Sequence, residues 1–270
     1  MRYHAPSREV VDATVFARQP LVAWRDYAAF LQGSEWPSIE ALNAALPADA
    51  VVRFVAQTPA LLSDGLHYEQ RIAERGDIAT REGNWHDLLN ALIWLRYPAL
   101  KQALNRRQMR EVDQMGPKQR SRPQYAMTHF DEGGVIVVVR DASLMALWDA
   151  HDWYGLFWQQ RQAWLDGVIQ VQIFGHALLE HALSPDKLLV GKALAFQATS
   201  ASDLSDVQRL CIDAIASGDC LNDPLELRPL PLSGIPGWHP DSQHEAFHRT
   251  SVCYQPRRAD RQYPAARRVD

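Results

Sequence analysis

Residues 130–139 read FDEGGVIVVV, and the last five of them form an unbroken β-branched run. A strand with one wet face would alternate apolar and polar residues. A run apolar on every residue fits a strand covered on both faces. The Gly133-Gly134 pair breaks the chain just before it, and Asp141 can cap a helix just after it, running through Trp148. Partly helical residues 121–132 precede the strand, so helix flanks it on both sides. VIQVQIF (168–174) and KALAFQ (192–197) supply two further strands. The fold class that follows is α+β. It is a single domain, mostly helical, with a small mixed sheet in its middle.

Working outward, helical spacing is strongest over WHDLLNALIWLR. Its apolar residues recur at 85, 88, 89, 92 and 95, and Asn84 is placed to cap it. Tyr97 precedes a proline, which disfavours further helix. Pro98 then opens a second helix that Gly116-Pro117 closes. Residues 22–31 carry helical spacing, and Ser38 opens a short helix that Pro47 ends. Residues 51–55 read as a short strand. Residues 67–73 alternate moderately before Gly76, which predicts a β-hairpin turning there into IATR. A Trp-rich helix is expected over 153–165 and another over 175–183. A third, opened by Asp203 or Ser205, ends at Gly218.

The stretch 222–240 holds prolines 224, 229, 231, 236 and 240, so it is neither regular helix nor central strand. Its leucines, Ile235 and Trp238 predict an irregular Pro-rich C-terminal wrap over the body. Residues 1–255 form the domain in this reading, and 256–270 an Arg-rich mobile tail. The nine tryptophans are spread along the chain and more readily fill a core than build a stacking platform.

A chain of 270 residues with 47% hydrophobic and 22% charged residues is of ordinary globular composition. At that length it needs no disulfide or metal to build a core. The net charge of −4 is not that of a generally basic nucleic-acid binder. Cys211, Cys220 and Cys253 form no paired motif, and Cys211 reads as a small core residue. Charges interrupt the N-terminal apolar residues, and no apolar run reaches the roughly 18 residues of a membrane span. A cytoplasmic protein is expected. Phosphate-cradling glycine motifs and the G-x-S-x-G elbow are absent.

Four clusters carry candidate chemistry. His86, Asn90 and Trp94 share one helix face, with Asp87 three residues before Asn90. The helix N-terminus favours Asp87 as an anion and leaves His86 a neutral base or ligand. The plainer alternative makes Asp87 a cap and bonds His86 to a backbone carbonyl. Asp131 and Glu132 stand where a helix turns into the central strand and can line a pocket, or simply make the turn. His176 and Glu180, at i and i+4, share a face and could bind one metal. They supply only half of a metal signature, and ordinary hydrogen-bond pairs have the same spacing. Residues 96–122 carry eight basic and two acidic residues. That asymmetry suits a phosphate-bearing ligand, or a solvated helix face. Glu69, Arg71 and Arg81 flank the expected hairpin and either pair with each other or reach the same pocket.

The segments NWHDLLNALIW (84–94), PALKQALN (98–105), FDEGGV (130–135), FGHAL (174–178) and PLSGIPGW (231–238) resemble the proteobacterial family catalogued as domain of unknown function 3025. They fall in the family's order and span most of the chain. The resemblance implies no activity or cofactor. It does imply that His86, Asp87, Asn90, Lys101, Asn105, Asp131, Glu132 and His176 belong to the family's motifs. His129, His239 and His248 depart from the pattern and are left out of the site.

The leading expectation is a hydrolase-type enzyme, metal-dependent or acid/base, acting on a small anionic substrate. His86, Asp87, Asn90, Asp131 and Glu132 form its catalytic set. Arg71, Arg81, Lys101 and Asn105 bind the substrate. His176 and Glu180 complete the site as metal ligands, with Zn, Mn or Fe suited to such a donor set. The alternative is a non-catalytic binder of a phosphate-rich partner such as RNA, through 96–122. A third reading is a scaffold whose motifs serve packing alone.

Overall fold

The chain enters through short 3-10 helices at Arg8–Val10, Ala13–Ala17 and Leu21–Tyr27. The structure is a computed structural model, and it describes residues 3–116, 119–199 and 204–269. The last of the three 3-10 helices runs into α1 (Ala28–Leu31), with non-helical backbone at Trp24, so the helix expected over 22–31 is broken in two. Ser38 Oγ accepts from the Ala41 N–H and starts α2 (Ile39–Ala44), as read.

Next come β1 (Arg53–Ala56), α3 (Pro59–Leu62), α4 (Tyr68–Arg75) and β2 (Asp77–Thr80). The hairpin expected at Gly76 is overturned. β1 and β2 pair in parallel, Arg53 opposite Asp77, and a parallel pair requires a crossover between its strands. Here the crossover is helical, and residues 68–75 lie on it. Gly76 is the helix's left-handed cap, with φ 70°. Any Cβ at Gly76 would meet Val51 O at 2.5 Å, so only glycine closes this turn.

The helices read on either side of Pro98 are α5 (Trp85–Arg96), capped by Asn84 Oδ1, and α6 (Pro98–Met115), which stops at Gly116. Pro117 lies outside the described residues. A reciprocal capping box between Ser121 and Gln124 starts α7 (Arg122–Gly133), which leads directly into β3 (Gly134–Val139). The Asp141 cap begins α8 (Ala142–Ala150). The expected Trp-rich helix is instead a π-helical turn, Gly155–Gln159, followed by α9 (Arg161–Leu165). After it come β4 (Ile169–Ile173), α10 (His176–His181), β5 (Val190–Ala198) and α11 (Leu204–Ser217). Asp203, one of its two candidate caps, lies outside the described residues.

In the larger sheet the order is β4-β3-β5-β6, where β6 is Arg228–Pro231. β3 runs antiparallel to β4 and parallel to β5, so the sheet is mixed. β3 is buried along its whole length, as its composition required. β6 is followed by irregular chain and α12 (Glu245–Thr250), the wrap read from the prolines. Residues 256–270, expected as a mobile tail, instead place β7 (Arg267–Val269) parallel to β5, with Val269 buried against the core. One continuous hydrophobic cluster runs from Val15 to Val269, and six of the tryptophans are buried in it. The whole is a single α+β fold. Among the described residues, no helix is long and apolar enough to cross a membrane.

One close approach organises the site. Phe174 and Gly175 N–H groups both donate to Gly134 O, at 3.0 and 2.8 Å. A Cβ on Gly175 would lie 2.4 Å from Gly134 N. Only two glycines let the start of α10 touch the junction of α7 and β3. That contact sets His176 beside Asp131 and Glu132.

Candidate functional site

A cavity of about 560 Å³ opens between α4, α5, α6 and α7 and the start of α10. His86, Asp87, Asn90, Asp131, Glu132 and His176 all line it, together with Arg81. Three sequence segments far apart in the chain, 81–90, 131–132 and 176, therefore meet in one recess.

At its floor, the Nε2 atoms of His86 and His176 face each other at 3.0 Å. The Glu132 carboxylate stands 3.9 Å from the first and 3.7 Å from the second. One ligand atom from each of the three residues lies within 4.8 Å of the others. On the far side of the His86 ring, Nδ1 meets Glu180 Oε2 at 2.9 Å. That carboxylate holds the Nδ1 proton, so neutral His86 turns a bare Nε2 lone pair toward His176.

His176 is 4% exposed, and its Nδ1 has no hydrogen-bond partner. Asp131 Oδ2 stands 3.8 Å away. With its proton on that side, His176 also presents a lone pair from Nε2. Burial pushes the His176 imidazolium down to about 3, against the pull of Asp131, so the ring is neutral near pH 7. The hydrogen bond that His86 donates to Glu180 holds the imidazole above its ordinary value against the effect of burial. Two lone pairs 3.0 Å apart repel unless a proton or a cation lies between them. Imidazole nitrogens bound at about 2.0–2.1 Å to one ion, at tetrahedral or octahedral angles, stand roughly 2.9–3.4 Å apart. The 3.0 Å spacing fits either a hydrogen bond between the rings or a shared cation, for which Glu132 offers a third donor.

Beneath the floor runs a buried polar network. Lys101 Nζ donates to Asp131 Oδ1 at 2.6 Å and to Asn90 Oδ1 at 2.9 Å. Asn90 Nδ2 donates to the Tyr68 hydroxyl at 2.8 Å. Burial, the largest influence, would raise the Asp131 carboxyl, but Lys101 and the two nearby histidines together hold the group below its ordinary value. Burial raises Glu132, partly offset by His86.

Several roles expected from sequence change. Glu180 does not share an ion with His176; it lies on the opposite edge of His86 and fixes that ring, as carboxylates do behind metal-bound histidines. Asp87 accepts from the Arg81 backbone N–H at 2.6 Å and from its guanidinium at 2.7 Å, so it pins Arg81 at the cavity wall rather than orienting His86. Lys101 is buried against Asp131 and is no anion receptor. Arg71 is turned away from the cavity, bound to Asp64 and to the Leu66 and Leu61 carbonyls. Asn105 donates to the backbone and side chain of Glu69.

The basic stretch 96–122 is also mostly engaged. Arg107 donates to the Ile215 and Cys220 carbonyls, Arg110 to Ala216 O, Arg96 to Ala23 O, and Arg122 pairs with Asp223. Lys118 lies outside the described residues.

Sequence reasoning missed Tyr68 and Gln108, which both line the cavity. Tyr68 was hidden by reading its helix as a strand. Gln108 had a signal: Lys101, Asn105 and Gln108 recur at i, i+4 and i+7 and are all buried. Polar residues at that spacing mark a helix face turned inward.

Fold and site together define an α+β protein whose cavity is floored by two histidines and a carboxylate. The chain belongs to the family described as Protein of unknown function (DUF3025), which matches residues 52–258. No curated protein and no solved structure matches the chain.

Proposed function

We propose that this protein is a hydrolase-type enzyme acting on a small anionic substrate, with a divalent zinc, manganese or iron ion held by His86, Glu132 and His176. One observation carries the reading: two imidazole Nε2 atoms 3.0 Å apart, with a carboxylate within 4 Å of both, at the floor of a cavity large enough for a substrate. Three protein donors leave positions open for water or substrate, the mark of catalytic rather than structural sites. An ion bound there supplies Lewis acidity and lowers the pKa of a bound water. Glu180 orients His86. Lys101 keeps Asp131 anionic beside His176, which favours the Nδ1–H tautomer.

The unpartnered Nδ1 of His176 speaks against a scaffold whose polar groups are all internally bonded. Binding of a phosphate-rich partner through 96–122 has less support, because Arg96, Arg107, Arg110 and Arg122 are bonded within the fold.

The test is hydrolysis of p-nitrophenyl acetate and p-nitrophenyl phosphate by protein stripped with a chelator and reloaded with each ion. Turnover restored by one equivalent of ion, and absent in His176→Ala, is the expected result. A protein that takes up no ion and hydrolyses neither ester contradicts the proposal.

A further inference from the structure

Beside the histidines, the same cavity presents hydrogen-bond donors with no acceptor among the described residues. The Tyr68 oxygen accepts from Asn90 Nδ2 at 2.8 Å, and Asn90 is itself held by Lys101. Among the described residues no acceptor takes the Tyr68 O–H proton. Burial pushes the phenol up, so the hydroxyl stays a donor. Gln108 is 7% exposed, and its amide makes no hydrogen bond among the described residues. Tyr68 and Gln108 are neighbours, since both also border a small cavity of about 10 Å³ behind the main one. Such donors gathered at one wall fit a ligand that brings the acceptors.

The cations have a complementary distribution. Lys101, Arg71 and Arg81 are each neutralised by a carboxylate. Arg120, at the cavity wall, has no carboxylate partner among the described residues. It donates to Thr128 Oγ1 at 2.5 Å and lies over the Tyr125 ring at 5.2 Å, which fixes it in place.

We infer that the Tyr68 hydroxyl and the Gln108 amide form an oxyanion subsite, with Arg120 adding charge at its edge, that receives a carboxylate or phosphate group of the substrate. The inference rests on the reading of this cavity as a substrate site and names the residues that take the anion, in place of Lys101, Arg71 and Asn105. The Asn90–Lys101 chain polarises Tyr68: each donor leans on the next, and the last O–H points its partial charge at the ligand.

The experiment is calorimetric titration of the full-length protein with inorganic phosphate and, separately, with succinate. It is repeated on Tyr68→Phe, Gln108→Leu and His176→Ala, with metal content measured on every sample. The wild-type chain is expected to bind one oxyanion. Tyr68→Phe and Gln108→Leu each weaken it about tenfold while leaving metal uptake unchanged. Whichever probe binds more tightly identifies the group as phosphate or carboxylate. The inference is overturned if the wild type binds neither probe, or if Tyr68→Phe and Gln108→Leu bind as the wild type does. It is also overturned if only His176→Ala loses binding, because then the ion alone holds the anion. Oxyanion binding that depends on Tyr68 in a protein taking up no metal would uphold the subsite and remove the proposed metal chemistry.

Discussion

His176 and His248 are equally deep in this protein, at 4% and 2% exposure, yet their rings live in opposite circumstances. In the C-terminal wrap, His248 meets the Tyr254 hydroxyl at 2.8 Å on Nδ1 and the Ser242 carbonyl at 3.0 Å on Nε2. His151, at the end of α8, is likewise bonded on both nitrogens to the C-terminal chain, at Gln255 O and the Tyr263 hydroxyl. His176 has no partner on Nδ1 and faces another imidazole on Nε2. Burial alone therefore does not distinguish these two histidines; the bonding of their ring nitrogens does. The wrap ties His248 down on both ring nitrogens, whereas His176 in the cavity has an unpartnered Nδ1.

Substitutions that treat the two regions differently sharpen this contrast. The largest effect is expected from Lys101→Met, which leaves Asp131 charged and unpaired under the cavity floor. Removing one partner of a buried pair costs about 3–5 kcal/mol, to be read in urea unfolding. Next is His176→Ala, which should lower divalent-metal affinity by two orders of magnitude or more while the fold persists. Glu180→Gln removes the carboxylate behind His86 and should weaken metal binding about 10–100-fold, a smaller loss because every direct donor remains. His248→Phe keeps the ring volume but strands Tyr254 and Ser242 O. It should cost about 1–3 kcal/mol of stability and leave metal binding untouched. The smallest effect is in pH. Burial holds His248 below its ordinary value, so the unfolded chain binds this proton more readily than the folded one. Its contribution is complete above about pH 6.5 and is lost as pH falls below that. Thermal melts of His248→Phe should therefore lose less stability between pH 7.5 and 5.5 than the wild type.

Much of the fold was legible because its signals are local. Ser38, Asn84 and Asp141 are caps whose side chains do what their positions imply. The 135–139 run reports two-sided burial directly. Residues 67–75 were misread because weak alternation resembles a strand, while Gly76 can equally close a hairpin or end a helix. The deciding fact, parallel pairing of β1 with β2, is non-local. The site shows the same division. His86, Asp131, Glu132 and His176 announce themselves by type and setting. Which of them share a ligand depends on Gly134 and Gly175 meeting across the fold. The i, i+4 spacing of His176 and Glu180 suggested one pair, and His86 lies between them instead. No local pattern revealed that Lys101 would be consumed by Asp131, or that residues 267–269 would join the sheet.

The central claim is that the facing imidazoles and Glu132 await a cation. Titration of chelator-stripped protein with zinc or manganese, followed by elemental analysis, tests it most directly, with His248→Phe and His176→Ala beside the wild type. The account predicts one ion per chain in the wild type and in His248→Phe, and none in His176→Ala. Equal uptake by all three proteins, or uptake by none, would contradict it.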